Sequence, residues 1–175
     1  KDFPQTIGRL SEHKGNAGVL LRAYVYVRLL GAEGMNRVSE HAALNANYLM
    51  AELRRAGFEI AFPTRRASHE FIVTLKDIKE KTGVTAMNLA KRLLDKGYHA
   101  PTTYFPILIP ECLLIEPAET ESKETLDAFV AAMKEILLEI EQQPDLVKTA
   151  PHNMPSRKLD DVKAARELDL SWKPN

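Results

Sequence analysis

Residues 111–127 constrain the fold most, because they join a short apolar run to a polar helix start. Residues 112–115 are Cys-Leu-Leu-Ile with prolines on both flanks, and that length and those boundaries favour a buried strand over a helix. Thr120-Glu121-Ser122 follows, with side chains typical of a helix N-terminus. Glu116 therefore lies where a core strand passes into a turn. Such junctions carry catalytic and binding residues, although solvated surface acids occupy them more often.

Charge and length exclude several classes of protein. The 175 residues suffice for one domain with a core, and 24 basic residues balance 24 acidic ones. Neutrality argues against nucleic acid or an anionic membrane surface as the main partner. The single cysteine, Cys112, excludes an internal disulfide, and its apolar surroundings predict a buried, inert thiol.

No membrane or secretion signal is recognisable in the sequence. Nothing after Lys1 has the apolar core of a signal peptide, and the most apolar run, residues 17–30, contains Arg22 and Arg28. We therefore predict a soluble, cytoplasmic protein. Because the chain begins at Lys1 without Met, we also expect that a longer polypeptide has lost its front part.

Two helices are predicted before any strand. After a polar leading segment, residues 17–30 have helical periodicity, and Gly31 suits the left-handed position after a helix end. Residues 33–56 repeat apolar side chains at spacings of three and four, and Gly57 closes that helix. Consecutive long helices of this kind look like a connector that carries a smaller domain.

The period then changes to that of a sheet with helices. We predict strands at 58–62, 70–75 and 113–115 and helices at 84–96 and 122–141, with an exposed connection at 76–82 and an irregular or extended stretch at 99–110. The tail from residue 144 has a possible short helix at 160–168 and is predicted to wrap back over the body. The predicted divisions are thus 1–57, 58–143 and 144–175. The fold class is mixed α/β (α+β), with a short sheet covered by helices on one face.

The sequence contains few motifs with specific chemistry. Residues 15–18, Gly-Asn-Ala-Gly, lack the strand and lysine of a phosphate loop, but are compatible with a helix N-terminus that holds an anion. No two of the five histidines are three or four residues apart, so no metal site is predicted.

Two short clusters are candidate site segments. Ser68-His69-Glu70 precedes the second strand and places an imidazole at its start, where a capping or core-edge histidine is the common alternative. Residues 99–106 carry Thr102 and Tyr104 between prolines, which hold the loop in a stiff conformation. Such a loop either lines a site or only connects elements.

Five segments resemble the C-terminal part of the glycine cleavage system P-protein, the pyridoxal-phosphate-dependent glycine dehydrogenase (decarboxylating). They occur in family order and spacing at residues 44–49, 69–71, 90–102, 115–122 and 150–152. Residues 157–166 are similar to the end of the second subunit of the two-subunit bacterial or archaeal form. The resemblance covers nearly all of residues 8–172.

The resemblance implies a fold, a reaction and partners. The fold is the small C-terminal domain of the type I pyridoxal-phosphate, or aspartate-aminotransferase-like, class. The coenzyme, bound mainly by a large domain that this sequence lacks, serves as the electron sink for loss of carbon dioxide from glycine. The aminomethyl group passes to lipoylated H-protein, and subunit 1 of the P-protein completes a hetero-oligomer. No nucleic acid and no membrane is implied as a partner.

The resemblance also identifies what is missing. The family's coenzyme lysine follows a histidine, and His13-Lys14 is a superficial match, but residues 15–20 resemble a later segment that opens the connector helix. The Schiff-base lysine is therefore expected outside this chain, and the isolated chain is expected to be inactive. The family also has Thr where Ala118 stands, which weakens a binding role for that turn.

Four residues are candidates for this chain's share of the site. His69 and Thr102 would contact substrate or coenzyme, Glu116 would orient a neighbouring group, and Tyr104 lies on the rigid loop. An alternative is a non-catalytic interaction module that retains the fold. An independent pyridoxal-phosphate enzyme that uses Lys14 is a third hypothesis.

Overall fold

The computed structural model describes residues 4–6, 8 and 15–171. The chain divides into two compact units, Lys1–Glu40 and His41–Asn175. The elements in chain order are α1 (Ala17–Arg55), β1 (Glu59–Ile60), β2 (Phe71–Thr74), α2 (Lys76–Thr82), α3 (Ala86–Asp95), β3 (Thr102–Thr103), β4 (Cys112–Ile115), α4 (Lys123–Gln142), α5 (Pro144–Lys148) and α6 (Asp161–Arg166). No helix in the described part of the chain is long and apolar enough to span a membrane.

The second unit contains a four-stranded antiparallel sheet in the order β1-β2-β4-β3. β2 and β4 form its centre, with Phe71 opposite Ile115 and Val73 opposite Leu113. These four side chains belong to the core, whereas Ile72 and Leu114, also opposite each other, are only half-buried. Because successive side chains alternate between the faces of a sheet, one face is covered by the core, and the other is open at Ile72 and Leu114 but buried at Thr74 and Cys112.

Helices cover the core face of the sheet. Leu49 and Leu53 from α1, Leu89 and Leu93 from α3, and Met133 from α4 are buried in one apolar cluster with the central strands. Burial of a side chain of this size contributes about 1.5–3 kcal/mol, so these residues fix the helices on the sheet. The predicted mixed α/β class, a short sheet covered by helices, is confirmed.

α1 contains the break that the sequence predicts. Gly31 has φ 64° and ψ −174°, a conformation that L-residues rarely adopt, so the helical geometry is interrupted there. The predicted end of the first helix at Gly31 is therefore confirmed.

Three elements differ from the sequence prediction. Residues 76–82, predicted as a connection, form α2, which has no buried residue and is supported by contacts such as the ion pair of Lys76 and Glu80. Residues 102–103 form β3, a two-residue strand that exists only through its pairing with β4. Pro144–Lys148 forms α5, with proline in its first turn, where the missing N–H costs nothing.

The start of the tail packs onto the second unit. α5 lies against α3 and α4, and Val147 and Ala150 are buried. The Asp95 carboxylate accepts hydrogen bonds from the backbone N–H groups of His152, at 2.6 Å, and Asn153, at 2.7 Å. The domain divisions at residues 57 and 143 stay predictions.

Candidate functional site

The open face of the sheet carries acidic side chains where β2 begins and β4 ends. The last paired residues there are Phe71 and Ile115. Glu70 and Glu116 lie one residue beyond that pair, and one oxygen of each carboxylate lies within 4.8 Å of the other. Since side chains alternate along a strand, both carboxylates belong to the face of Ile72 and Leu114, away from the core.

His69 joins these two carboxylates in what we call the histidine–glutamate cluster: His69, Glu70 and Glu116. One nitrogen or oxygen atom from each side chain lies within 4.8 Å of the others. His69 Nε2 is 3.9 Å from Glu70 Oε2, and its Nδ1 is 3.1 Å from Ser68 Oγ. Carboxylates directly opposite on neighbouring strands repel each other, so this arrangement favours a cation between them, either a protonated amine or a metal ion.

Glu116 also lines a cavity of about 400 Å³ in the second unit. Its walls come from the end of β4, the start of α4, α1 and the loop before β3. They combine apolar surface with a few polar groups, the arrangement typical of small-molecule sites. The lining residues are Leu49, Tyr98, His99, Ala100, Pro101, Thr102, Leu114, Ile115, Glu116, Pro117, Ala118, Glu121, Thr125, Leu126 and Phe129.

The turn after Glu116 is held in place by α1. The Asn45 side-chain amide donates hydrogen bonds to the carbonyl oxygens of Ala118 and Glu121, both at 3.0 Å. Ser122 then caps α4 by accepting the N–H of Thr125 at 3.2 Å. These contacts satisfy backbone groups that would otherwise be unpaired in a turn, and they fix the cavity wall that carries Glu116.

Two aromatic rings also line the cavity. Tyr98 and Phe129 meet edge to face with their ring centroids 5.2 Å apart. Thr102 lies beyond Tyr98 on β3, opposite Leu114, and therefore on the open face of the sheet. The two rings give the cavity an apolar surface, and Thr102 is one of its polar lining residues.

The structure brings together three of the four predicted site residues. His69 and Glu116 belong to the histidine–glutamate cluster, and Thr102 shares the cavity with Glu116. Tyr104 is elsewhere: its backbone N–H donates to the Cys112 carbonyl at 3.0 Å, at the other end of β4. At about 3.3 Å per residue, that end is roughly 13 Å from Glu116.

Glu70 was not among the site residues predicted from the sequence. In the segment Ser68-His69-Glu70, only the imidazole of His69 was predicted to belong to the site. Its spacing of two residues from Ile72 places Glu70 on the same face of the strand, and this spacing could have indicated it. Its proximity to Glu116, however, depends on the pairing of β2 with β4, which are distant in sequence. His13 and Lys14, the superficial match to the coenzyme lysine, lie outside the described residues.

Comparisons with known proteins agree with this architecture. The family model for the glycine dehydrogenase C-terminal domain matches residues 38–155, more than half of the chain. The chain therefore belongs to the glycine dehydrogenase C-terminal domain family.

Curated relatives point to one subunit type within that family. Proteins named probable glycine dehydrogenase (decarboxylating) subunit 2 are 86% identical in Nitrosospira multiformis over 173 residues, 82% in Nitrosomonas europaea over 174 and 73% in Thiobacillus denitrificans over 173. Each match covers 99% of this chain and 35–36% of the relative. The chain thus spans about a third of the length of these relatives, and the predicted resemblance to subunit 2 is confirmed.

The cavity does not by itself suit pyridoxal phosphate. Among the described residues that line it there is no lysine to bind the coenzyme aldehyde and no cation to hold its phosphate. Lys123, at the start of α4, is held instead by the Asp127 carboxylate at 2.6 Å. The histidine–glutamate cluster and Thr102 offer contacts to the edge of a bound molecule, not a complete coenzyme site.

Proposed function

We propose that this chain forms the C-terminal domain of a pyridoxal-phosphate-dependent glycine dehydrogenase (decarboxylating). The observation that supports this most is its identity of 73–86% to proteins named as subunit 2 of that enzyme. The complete enzyme would decarboxylate glycine and transfer the aminomethyl group to lipoylated H-protein, with subunit 1 as partner in the cytoplasm. Pyridoxal phosphate, when bound, would supply the electron sink for that chemistry.

Within this proposal, the histidine–glutamate cluster binds the cationic side of the substrate. Two carboxylates and an imidazole, with no lysine or arginine paired to them among the described residues, attract a protonated amine. Glu116 orients the imidazole of His69, which lies within 4.8 Å. Thr102 adds a hydroxyl that donates or accepts a hydrogen bond on the cavity side.

The isolated chain would not catalyse the reaction under this proposal. Its described cavity has no lysine for the coenzyme, so that group must come from polypeptide that the longer relatives have. The share of this chain is then to position the substrate amine and to close one side of the site. A charge-neutral variant at Glu116 tests that share directly.

The test uses a hybrid subunit: the Nitrosospira multiformis relative with its matching 173 residues replaced by those of this chain. In the hybrid with its partner subunit, Glu116→Gln is expected to lower kcat/KM for glycine decarboxylation by up to about 10²-fold, the loss that misplacement of a reacting group causes. Glu141→Gln, which changes an exposed acid on α4, is the matched control and is expected to retain full activity.

The split between kcat and KM separates function from structure. Loss of a group that only positions the amine raises KM more than it lowers kcat, with the unfolding midpoint unchanged. Full activity of Glu116→Gln would remove the site assignment. A parent hybrid that folds but never decarboxylates glycine would favour the interaction-module alternative.

A second experiment tests whether the coenzyme lysine lies outside this chain. Pyridoxal phosphate is added to the isolated chain, its absorption spectrum is recorded, and borohydride reduction is followed by peptide mapping. We expect no stoichiometric label on any lysine. A stoichiometric label on Lys14 would overturn the proposal that this chain holds only part of the site.

A further inference from the structure

The first half of α1 is an apolar helix without a polar face. Seven large apolar side chains in residues 17–30 are between 51% and 82% exposed: Val19, Leu20, Leu21, Tyr24, Val25, Val27 and Leu29. At 100° per residue they leave no gap wider than about 80° around the helix axis. A soluble helix that is apolar on all sides is normally buried, so we expect other polypeptide to cover this segment.

A lipid bilayer does not account for this segment. Residues 17–30 form a helix about 21 Å long, against the roughly 30 Å of a hydrocarbon core. Arg22 and Arg28 interrupt the apolar run, and no described helix meets the requirements of a membrane span. An interfacial helix needs one polar face, which this helix does not have.

A second copy of the chain also fits poorly. Two helices that pair side by side bury one stripe on each partner and leave the other sides in water. The seven side chains point in all directions, so a dimer of this kind would cover only part of them. The helix therefore requires polypeptide that covers it on all sides.

The comparisons with known proteins indicate which polypeptide could cover the helix. The matched family model describes the C-terminal domain of glycine dehydrogenase, and this chain accounts for 35% of the Nitrosospira multiformis relative. About two thirds of the relative's polypeptide therefore lies outside the match. We infer that this additional polypeptide of subunit 2 encloses the helix formed by residues 17–30.

The two arginines add a chemical requirement to the enclosing surface. Neither Arg22 nor Arg28 forms an ion pair with an acid among the described residues, and they are about 120° apart around the helix. Guanidinium groups taken into an interface require carboxylate or carbonyl partners. The enclosing polypeptide therefore presents such oxygen groups on two sides of the helix.

The inference rests on family membership and not on the proposed reaction, and it is tested by accessibility instead of activity. Val19→Cys and Leu21→Cys place thiols on nearly opposite sides of the helix, about 160° apart. Leu138→Cys on α4 is the control, because Leu138 is 53% exposed, as is Val19. Each variant is made both in the isolated chain and in the hybrid subunit described above, labelled with N-ethylmaleimide and mapped by mass spectrometry.

In the isolated chain all three thiols are expected to react at similar rates, whereas Cys112 is buried and stays unlabelled. In the hybrid, labelling at positions 19 and 21 is expected to be at least about ten-fold slower, because thiol reactivity follows exposure. Position 138 is expected to change by less than about two-fold. Ala23→Cys, a smaller change about 40° from Val19 around the helix, repeats the test on that side if the larger side chains prove necessary for folding.

Four results would overturn the inference. Undiminished labelling at both positions in the hybrid would show that the helix is not enclosed, and protection on one side only would show a flat contact. Protection in the isolated chain that increases with concentration would assign the surface to a second copy. Equal protection of position 138 would show association of whole molecules instead of local enclosure.

Discussion

Two clusters of charged side chains in the second unit differ in how their charges are balanced. The paired network consists of Arg92, Asp95, Lys96, Glu135 and Glu139. Every member has an opposite charge within 3.1 Å. In the histidine–glutamate cluster, Glu116 has no hydrogen bond or ion pair among the described residues, and the one opposite charge available to Glu70 there is the imidazole of His69, at 3.9 Å, when that ring is protonated.

The balance in the paired network is reflected in its pKa values. The Arg92 guanidinium donates two hydrogen bonds to Glu139, both at 2.7 Å, and these lower the pKa of the Glu139 carboxyl against the opposing effect of burial. Burial alone would raise the pKa of Asp95, but the N–H groups of Asn153 and His152 and the Arg92 guanidinium together lower it. These charges therefore stabilise the fold.

Comparison of the two clusters identifies where this chain retains unfavourable charge. A sequence selected only for stability would not place two carboxylates opposite each other on neighbouring strands. The ion pairs and hydrogen bonds of the paired network hold α3, α4 and the tail together. The histidine–glutamate cluster lies on the open side of the sheet, and its one ion pair among the described residues is between the neighbouring residues His69 and Glu70. We therefore expect substitutions to reduce stability in the first cluster and to leave or increase it in the second.

The largest effect is expected at Asp95. Its side chain is 1% exposed and accepts three hydrogen bonds, two from the tail backbone and one from Arg92. Asp95→Ala leaves those donors without an acceptor, and the free energy of unfolding is expected to fall by about 2–4 kcal/mol. Urea denaturation followed by circular dichroism measures the change.

Asp127→Ala is the matched control for Asp95. The Asp127 carboxylate also pairs with a lysine, at 2.6 Å, and with the Tyr48 hydroxyl, at 2.5 Å, but it is solvent-exposed. Its removal is expected to cost less than about 1 kcal/mol, because exposed pairs contribute little. Equal losses for the two variants would show that burial does not distinguish the clusters.

A smaller effect is expected from Arg92→Lys. Lysine keeps the positive charge but cannot donate the two parallel hydrogen bonds that the guanidinium gives to Glu139. We expect a loss of about 1–2 kcal/mol in thermal or urea unfolding. Wild-type stability of this variant would mean that charge alone, and not the bidentate geometry, holds α3 to α4.

The elements predicted from the sequence were those with a strong local pattern. The helix break at Gly31 and the helix α4 follow from periodicity and terminal residues, and both are found. α2 was missed because it has no apolar stripe and no buried residue. β3 was missed because two threonines become a strand only through their partners in β4, which no local pattern encodes.

The candidate site was predictable only in part, for the same reason. Strand ends and a stiff loop marked His69, Thr102 and Glu116 individually. Their proximity, and the position of Glu70, depend on the register of β2 with β4 across more than forty residues of sequence. Tyr104 shared the loop but follows β3 to the other end of β4, a direction that the loop sequence does not reveal.

A further, smaller effect of the paired network is its pH dependence. Because the pKa of Asp95 is lowered in the folded state from its ordinary 3.8, its contribution to stability is present above that value and is lost as the pH falls through the folded-state pKa. Asp95→Asn is therefore expected to show a shallower loss of stability below about pH 4 than the parent chain. Parallel acid-unfolding curves would contradict the assigned role.

The smallest effect, and the one of opposite sign, is expected in the histidine–glutamate cluster. Glu70→Gln removes the repulsion between two carboxylates that face each other one step beyond the Phe71–Ile115 pair. The free energy of unfolding is expected to rise by about 0.2–1 kcal/mol at low salt, and the gain is expected to shrink in 1 M salt, where screening acts within about 3 Å.

Glu59→Gln is the control for Glu70, since it changes an exposed acid on β1 opposite Thr74, where no carboxylate faces it. No gain is expected from it. A loss of stability in Glu70→Gln would show that Glu70 is held by a favourable contact, and the histidine–glutamate cluster would then resemble the paired network. A gain that salt abolishes would instead support the interpretation that this cluster retains unfavourable charge for a cationic ligand.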